Sequence, residues 1–467
     1  MRSAPEITLP LGLGDPEEGG SLPARLAAEF RRLIADAVLS PGDAVPSTRA
    51  LAAHLGVSRG SVVSAYDQLL AEGYLSAAVG RSTVVNPQLR GVHPSPPRPS
   101  PVVPAEASPG LDLRPGLPWA ADVVGPAWKA AWRQASVAPV DVAVPTLGLP
   151  GLRGAWADHL RRMRAVVRSP AQIAVTGGGR EGFALLLLAL ADGEPSRLRV
   201  GVEEPGYPSL RRVPARFGAT VVPVPVDRQG LRVTDLPSGE EAPDLLIVTP
   251  SHQYPLGGSM PIERRQALLE WARRHEVVIV EDDYDSELRY TSEPLPALAA
   301  LDDPADGRVV LLGTLSKTLT PALATGFLAL PGWLVPTVMR ARHDLGQPVG
   351  LVAQRAVANY LDSGALRLHT QRMRNRYRRR RAQVVEALSG VPGLRVYPMD
   401  GGLHAVVETA RAEAEVVADL ASSGVRVSPL SRYWSGAGSS GIVFGFGAVG
   451  EADLARGLRL IAAVAGA

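Results

Sequence analysis

Val309-Val310-Leu311-Leu312-Gly313-Thr314-Leu315-Ser316-Lys317-Thr318-Leu319 is an apolar run that ends in a glycine, small hydroxyl residues and a lysine. Four apolar residues in succession, without polar alternation, predict a strand buried on both faces, as in a parallel sheet covered by helices. An amine held at the end of such a strand has its pKa lowered by its surroundings, and it suits an imine to an aldehyde cofactor. Thr314 and Ser316 suit the phosphate of that cofactor. The ordinary alternative is a solvated loop lysine. Against it, only Lys129 and Lys317 are lysines among 49 basic residues, the other 47 (49 − 2) being arginine. GC-rich coding accounts for that bias. Arginine has no readily freed amine and cannot form an imine, so a lysine that survives the bias marks a place where arginine cannot substitute.

Working outward, further apolar runs at Leu198–Val202, Thr220–Val224, Leu245–Thr249 and Val277–Glu281 alternate with helical patterns. This predicts an α/β fold with a mostly parallel sheet over residues 111–467, with ligands at the carboxyl ends of the strands. Three stretches follow such strands. Val280-Glu281-Asp282-Asp283-Tyr284-Asp285 places acids where one can face a pyridine nitrogen. The same acids could instead hold Mg²⁺, although no phosphate-cradling P-loop accompanies them. Gly177-Gly178-Gly179-Arg180 leads into the apolar helix from Phe183 and is a candidate anion site. Glu204-Pro205-Gly206-Tyr207 and Ser251-His252-Gln253-Tyr254 offer a stacking ring in Tyr207 and polar contacts in His252 and Gln253. Turn chemistry alone would also explain each of these loops.

The N-terminal part reads differently. Ser47 is placed to cap a short helix ending at Gly56, and Ser58 to cap a second whose apolar positions are Val62, Val63, Tyr66, Leu69 and Leu70. Two helices joined by a glycine turn predict a helix-turn-helix, with Arg59 and Ser61 at the start of the recognition helix. Leu75 and the run Val79–Val85 predict a hairpin wing. Residues 1–20 form a tail, 21–85 the winged helix, and 86–110, rich in Pro and Ser, an extended linker. Bulk charge does not argue for DNA: residues 1–85 hold 7 Arg and 9 acids, a balance of −2 (7 − 9). The absence of cysteine excludes disulfides and thiolate metal sites, and no metal site is expected. No signal peptide or membrane span is legible, so the chain is expected in the cytoplasm.

These pieces carry a resemblance. "PSTRALAAHLGVSRGSVVSAYDQLLAEGYL" resembles the GntR-type winged helix. "TPSHQYPLG", "EDDYDSELRY", "GTLSKTL" and "PLSRYW" resemble the fold-type I aminotransferase-like domain of the MocR subfamily of GntR-type regulators. The resemblance implies a winged helix-turn-helix fused to a domain with a mostly parallel sheet and a smaller C-terminal α/β subdomain. For DNA it implies contacts by Arg49, Ser58, Arg59, Ser61, Arg81 and Thr83. For pyridoxal phosphate (PLP) it implies Lys317 as the imine residue, Asp282 at the pyridine nitrogen, Tyr284 near the ring hydroxyl and Tyr207 on the ring. Gly178, Gly179, Arg180, Thr314, Ser316, His252 and Gln253 complete the expected cofactor set. It further implies a homodimer with its DNA heads exchanged between partners.

The chain also departs from that family. Ala324 stands where the phosphate-binding arginine is usual, and Val142-Ala143-Val144 replaces an expected tyrosine segment. No arginine for a substrate carboxylate lies around Ile442–Phe446. Arg180 stands where the family has glutamine and restores one charge. A lost arginine–phosphate fork costs about 1.5–3 kcal/mol, so PLP binding weaker than the fold's norm is expected. Three functions remain open: an operator-binding regulator responding to PLP or an amine or amino-acid derivative, a regulator whose PLP site has degenerated, and an aminotransferase with an accessory head. No catalytic residue is assigned. The run Gln371–Arg381 reads as helical surface charge, with a second DNA contact as its alternative.

Overall fold

The computed structural model describes residues 11, 20–77, 82–89, 110–139, 142–290, 295–436 and 438–466. The chain divides into two units, Met1–Ala107 and Ser108–Ala467. In the first, α1 (Leu22–Ala35), α2 (Thr48–Leu55) and α3 (Arg59–Ala71) precede an antiparallel pair, β1 (Leu75–Ser76) and β2 (Val84–Val85). Leu26, Phe30 and Leu33 recur at helical spacing on α1 and meet Leu51, Val62, Tyr66 and Leu69 in one buried cluster. Phe30 and Tyr66 pack edge to face, with ring centres 5.4 Å apart. The caps fall where the sequence puts them. Ser47 accepts from the amide of Ala50 at 3.2 Å, and Gly56, at φ 65°, ends α2 in the left-handed conformation that favours glycine. Val63 and Leu70, expected on the buried face, are only half-buried; Ala65 takes that place. The first residues of the expected linker belong to the head: Asn86 donates to the Gly73 carbonyl at 2.8 Å, and Leu89 packs on the cluster.

The second unit opens with β3 (Leu111–Asp112) and then builds an eight-stranded sheet. Its strands are β4 (Ile173–Thr176), β5 (Arg199–Glu204), β6 (Thr220–Asp227), β7 (Gly230–Leu231), β8 (Leu245–Val248), β9 (Val278–Asp283), β10 (Val309–Thr314) and β11 (Gly326–Ala329). Their spatial order is β4-β11-β10-β9-β8-β5-β6-β7. β10, β9, β8, β5 and β6 run parallel, while β11 is reversed against both neighbours and β7 against β6. Alternation along β10 explains the unbroken apolar run. Val309 and Leu311 enter the cluster on one face, and Val310 and Leu312 the cluster on the other.

The C-terminal part is a smaller α/β subdomain. β12 (Leu394–Val396), β13 (His404–Thr409), β15 (Ser428–Pro429) and β16 (Gly441–Gly445) form an antiparallel sheet, and β14 (Val425–Arg426) pairs in parallel with β3. The helix Ala365–Leu388 packs against it through Met373, Tyr377, Val384 and Leu388. The arginine run on this helix is therefore surface charge on one side only. Arg380 is buried and donates to the carbonyls of Phe446 and Gly447, and Arg374 donates to that of Glu287. Among the described residues no helix is long and apolar enough to cross a membrane.

The loop after β8 is held by a fully buried arginine. Arg265 donates to the carbonyls of Pro250 at 2.7 Å, Met260 at 2.8 Å and Pro296 at 2.9 Å. Replacing it with Met takes the donor from the Met260 and Pro296 carbonyls, while the Pro250 carbonyl keeps the Met260 amide. Arg265→Met should lower unfolding free energy by about 3 kcal/mol in urea titrations, and a loss under about 1 kcal/mol would show that these carbonyls find other donors.

Candidate functional site

The head presents its second helix with an unburied N-terminus. Ser58 caps α3 by accepting from the Ser61 amide at 3.1 Å, and the two hydroxyls lie 2.8 Å apart. Arg49, at the start of α2, and Arg59, at the start of α3, are exposed and make no hydrogen bond or ion pair among the described residues. Ser61 and Thr83 are half-buried. Arg81, the expected wing contact, lies outside the described residues. The arrangement offers two free guanidinium groups near a helix N-terminus, a geometry that suits the phosphates and base edges of a duplex.

The second candidate is a cavity of about 270 Å³ at the carboxyl ends of β9 and β10. The parallel register sets Leu312 beside Asp282 and Gly313 beside Asp283, so the acidic strand end and the lysine turn are neighbours. Lys317, Asp282, Tyr284, Tyr207, Gly179, Arg180, Thr314 and Ser316 all line this cavity. The Lys317 amine donates to the Gly116 carbonyl at 2.6 Å. Burial lowers its pKa, opposed by the charges of Asp285 and Asp282. Asp282 is buried and has no hydrogen bond or ion pair among the described residues. Burial first, then the carboxylates of Asp283, Asp285 and Glu203, push its pKa up to about 8.

Gly178, at φ 102°, turns the chain into the helix Gly179–Leu190, whose first residues Gly179 and Arg180 line the cavity; Arg180 is exposed, without a partner among the described residues. Amides at a helix start together with a free guanidinium suit a phosphate. Thr314 and Ser316 hydroxyls lie 2.8 Å apart on the same rim. The donor set therefore fits PLP: an amine for the aldehyde, a buried unpaired carboxyl for the ring nitrogen, a tyrosine wall and an anion cradle. Ala324 does not line the cavity. It is exposed at φ 45°, two residues before Gly326, whose backbone runs close to Gly178.

Three expected contacts do not line the cavity: Gly178, Gln253 and His252. Gln253 is fully buried, and its amide nitrogen donates to the carbonyls of Pro205 and Tyr254, both at 2.8 Å, while its oxygen accepts from the Leu256 amide. His252 lies beneath the cavity, with Nδ1 2.9 Å from Asp285 Oδ2 and 2.9 Å from the Tyr284 hydroxyl. Both are spent on scaffold. Gly116, Tyr254, Glu203 and Asp285 join this neighbourhood without having been expected there. Tyr254 lines the cavity and meets Tyr207 edge on at 5.2 Å. Glu203 is buried behind Asp282, bonded to Thr249 and Gln253, with its pKa pushed up to about 7 by burial. Tyr254 had a local signal, lying between Gln253 and Pro255 in the loop after β8. Gly116 had none, since it reaches Lys317 from 201 residues away.

Comparison with known proteins agrees with this geometry. Residues 120–438 match the family described as aminotransferase class I and II, and residues 22–85 match the bacterial regulatory proteins of the gntR family. The chain is similar to the HTH-type pyridoxine biosynthesis transcriptional regulator PdxR of Corynebacterium glutamicum, at 47% identity over 96% of each chain. It is also similar to the probable rhizopine catabolism regulatory protein MocR of Rhizobium meliloti, at 32% identity over 93% of this chain and 92% of that one. Among solved structures it shares its fold with an archaeal alanine:glyoxylate aminotransferase, with a TM-score of 0.69 and 24% identity over 76% of this chain and 90% of the other.

The raised pKa of Asp282 has a stability consequence. Folding favours its protonated form, so its contribution is fully present below the ordinary value of 3.8 and is lost as pH rises to about 8. In cofactor-free protein, Asp282→Asn should therefore be more stable than wild type by on the order of 3 kcal/mol at pH 8.5. The difference should shrink steadily toward pH 4. Denaturant midpoints that differ by a constant amount from pH 4 to 8.5 would show that the carboxyl ionises normally.

Proposed function

Because the chain belongs to the MocR-type GntR regulators, we propose that it is a cytoplasmic transcription regulator that binds operator DNA through α3 and alters that binding when PLP occupies its aminotransferase-like unit. The observation that carries this reading is the cavity's supply of cations. Its basic lining residues among those described are Lys317 and Arg180. One serves an aldehyde and one a phosphate, which leaves no guanidinium for the carboxylate of an amino-acid substrate. That supports a sensor of PLP over a transaminase. The name of the Corynebacterium relative supports genes of pyridoxine synthesis as the regulated class.

In this reading the amine of Lys317 holds the cofactor, Tyr207 faces its ring, and Asp282 and Tyr284 meet the ring nitrogen and hydroxyl. Gly178, Gly179, Arg180, Thr314 and Ser316 receive the phosphate. PLP supplies an aldehyde that joins an amine covalently and an electron-poor ring. The chain's own part is to position and to hold protons. Asp282, with a pKa near 8, carries a proton at neutral pH that it shares with a ring nitrogen. The His252–Asp285 pair holds the Tyr284 hydroxyl, and burial keeps Tyr284 protonated. At the DNA, Arg59 reaches a base edge, with Arg49, Ser58, Ser61, Arg81 and Thr83 along the backbone. The family resemblance supports a homodimer with exchanged heads, which presents two recognition helices to paired half-sites.

Two experiments test these assignments. Purified protein in excess PLP should turn yellow, and borohydride should bleach the colour; Lys317→Ala should stay colourless. Ala324→Arg should tighten PLP binding about 10- to 100-fold by restoring a phosphate fork. If neither wild type nor Ala324→Arg acquires the absorbance, the cofactor assignment fails. For the head, Arg59→Ala should cost about 1–3 kcal/mol on the gene's upstream DNA and relax the preference over unrelated duplex. Unchanged affinity and preference would remove Arg59 from the reading set.

A further inference from the structure

The outer side of the helix Ala365–Leu388 carries charge that neither the fold nor the cavity uses. At 100° per residue, its exposed positions Arg367, Leu368, Gln371, Arg372, Asn375, Arg378, Arg379, Ala382 and Glu386 fall on one arc. The buried positions Leu366, Met373, Tyr377, Arg380 and Val384 fall on the opposite side. The only carboxylate in the helix is Glu386, near its end. Arg372, Arg378 and Arg379 make no hydrogen bond or ion pair among the described residues. Their neighbours differ: Arg376 is bonded to Asp122 at 2.7 Å and lies over the Trp119 ring, and Arg367 shares a small cavity with Asp362. Three bare guanidinium groups, with Gln371 and Asn375 among them, thus lie on one face.

The distribution of charge between the units gives this face its meaning. Residues 1–107 hold 9 basic and 10 acidic side chains, a balance of −1 (9 − 10). Residues 108–467 hold 40 and 36, a balance of +4 (40 − 36). Within the head, Arg31 is paired with Glu72, and Arg32 with Glu29 and Asp36. A head with no net positive charge, whose free guanidinium groups among the described residues are Arg49 and Arg59, supplies base reading but only part of the phosphate neutralisation that dominates affinity for duplex DNA.

Resting on the regulator reading, we propose that the outer face of the helix Ala365–Leu388 is a second DNA contact, which grips the phosphate backbone beside the operator without reading its sequence. Arg372 and Arg379 are about 10 Å apart along the helix axis, the rise of about three phosphates on one strand. Guanidinium groups suit phosphate oxygens in forked pairs, and the two amide side chains add neutral donors.

The test uses the full chain and two triple variants, one with Arg372, Arg378 and Arg379 each changed to Gln and one with each changed to Lys. Affinity for the upstream duplex and for unrelated duplex is measured from 50 to 200 mM salt. The Gln variant should lose affinity for both duplexes by the same factor, and its salt slope should be shallower by about two to three per protomer. The Lys variant should keep the wild-type slope. Thermal melting and the PLP-dependent absorbance check that the Gln variant is folded; if it is not, Arg372→Gln alone should lower the slope by about one. An unchanged slope overturns the proposal while leaving the regulator reading intact. A wild-type chain that ignores both duplexes overturns the two together.

Discussion

The parallel register between β9 and β10 is the constraint on which the large unit depends. Pairing Leu312 with Asp282 and Gly313 with Asp283 fixes the distance between an acidic strand end and the turn that carries Lys317. A shift by one residue would send Asp282 to the opposite face and point its neighbour into the cavity instead. The register is held by the alternation of Val309 through Leu312 between two separate cores, so apolar packing on both sheet faces secures the placement of polar groups at their ends.

Those polar groups are expensive to keep dry, and the fold treats them in two ways. Structural charges are paired, although one oxygen of Asp283 is buried without a donor. Glu281 accepts from the amides of Leu298 and Ala299, and Arg164 pairs with Asp283 at 2.7 Å while donating to Ser251. The groups around the cavity are left partly unanswered: Asp282 has no partner among the described residues, and Arg180 is free. A buried carboxyl without a donor opposes folding unless protonated or met by a ligand. The contrast between Glu281 and Asp282, adjacent on one strand, separates scaffold from site more sharply than burial does, since both are buried.

Much of this was legible in the sequence because it is local. Caps at Ser47 and Ser58, the glycine turn at Gly56 and the unbroken apolar run before Gly313 depend on residues a few positions apart, where spacing carries the information. The cavity's main residues followed because strand ends converge in a parallel sheet. What escaped was long-range or depended on orientation. Gly116 reaches Lys317 from a distant segment, and Gln253 looked like a ligand contact because a buried amide serving loop carbonyls has the same sequence signature as one serving a ligand. The arginine run was half-read for the same reason. Composition shows the charge, but only the helix's rotation shows that Arg380 turns inward to Phe446 while Arg378 and Arg379 turn outward.

The bond from Lys317 to the Gly116 carbonyl joins the lysine to a segment that is itself tied to the small subdomain. The Leu113 carbonyl accepts from Gly445, and the Trp119 amide donates to the Tyr377 hydroxyl. An amine consumed in a covalent linkage has fewer protons to give, so anything that captures Lys317 competes with residue 116 for the same nitrogen. The amine thus ties a strap of backbone to the turn that follows β10. That strap begins near residue 111, where the large unit starts in chain order.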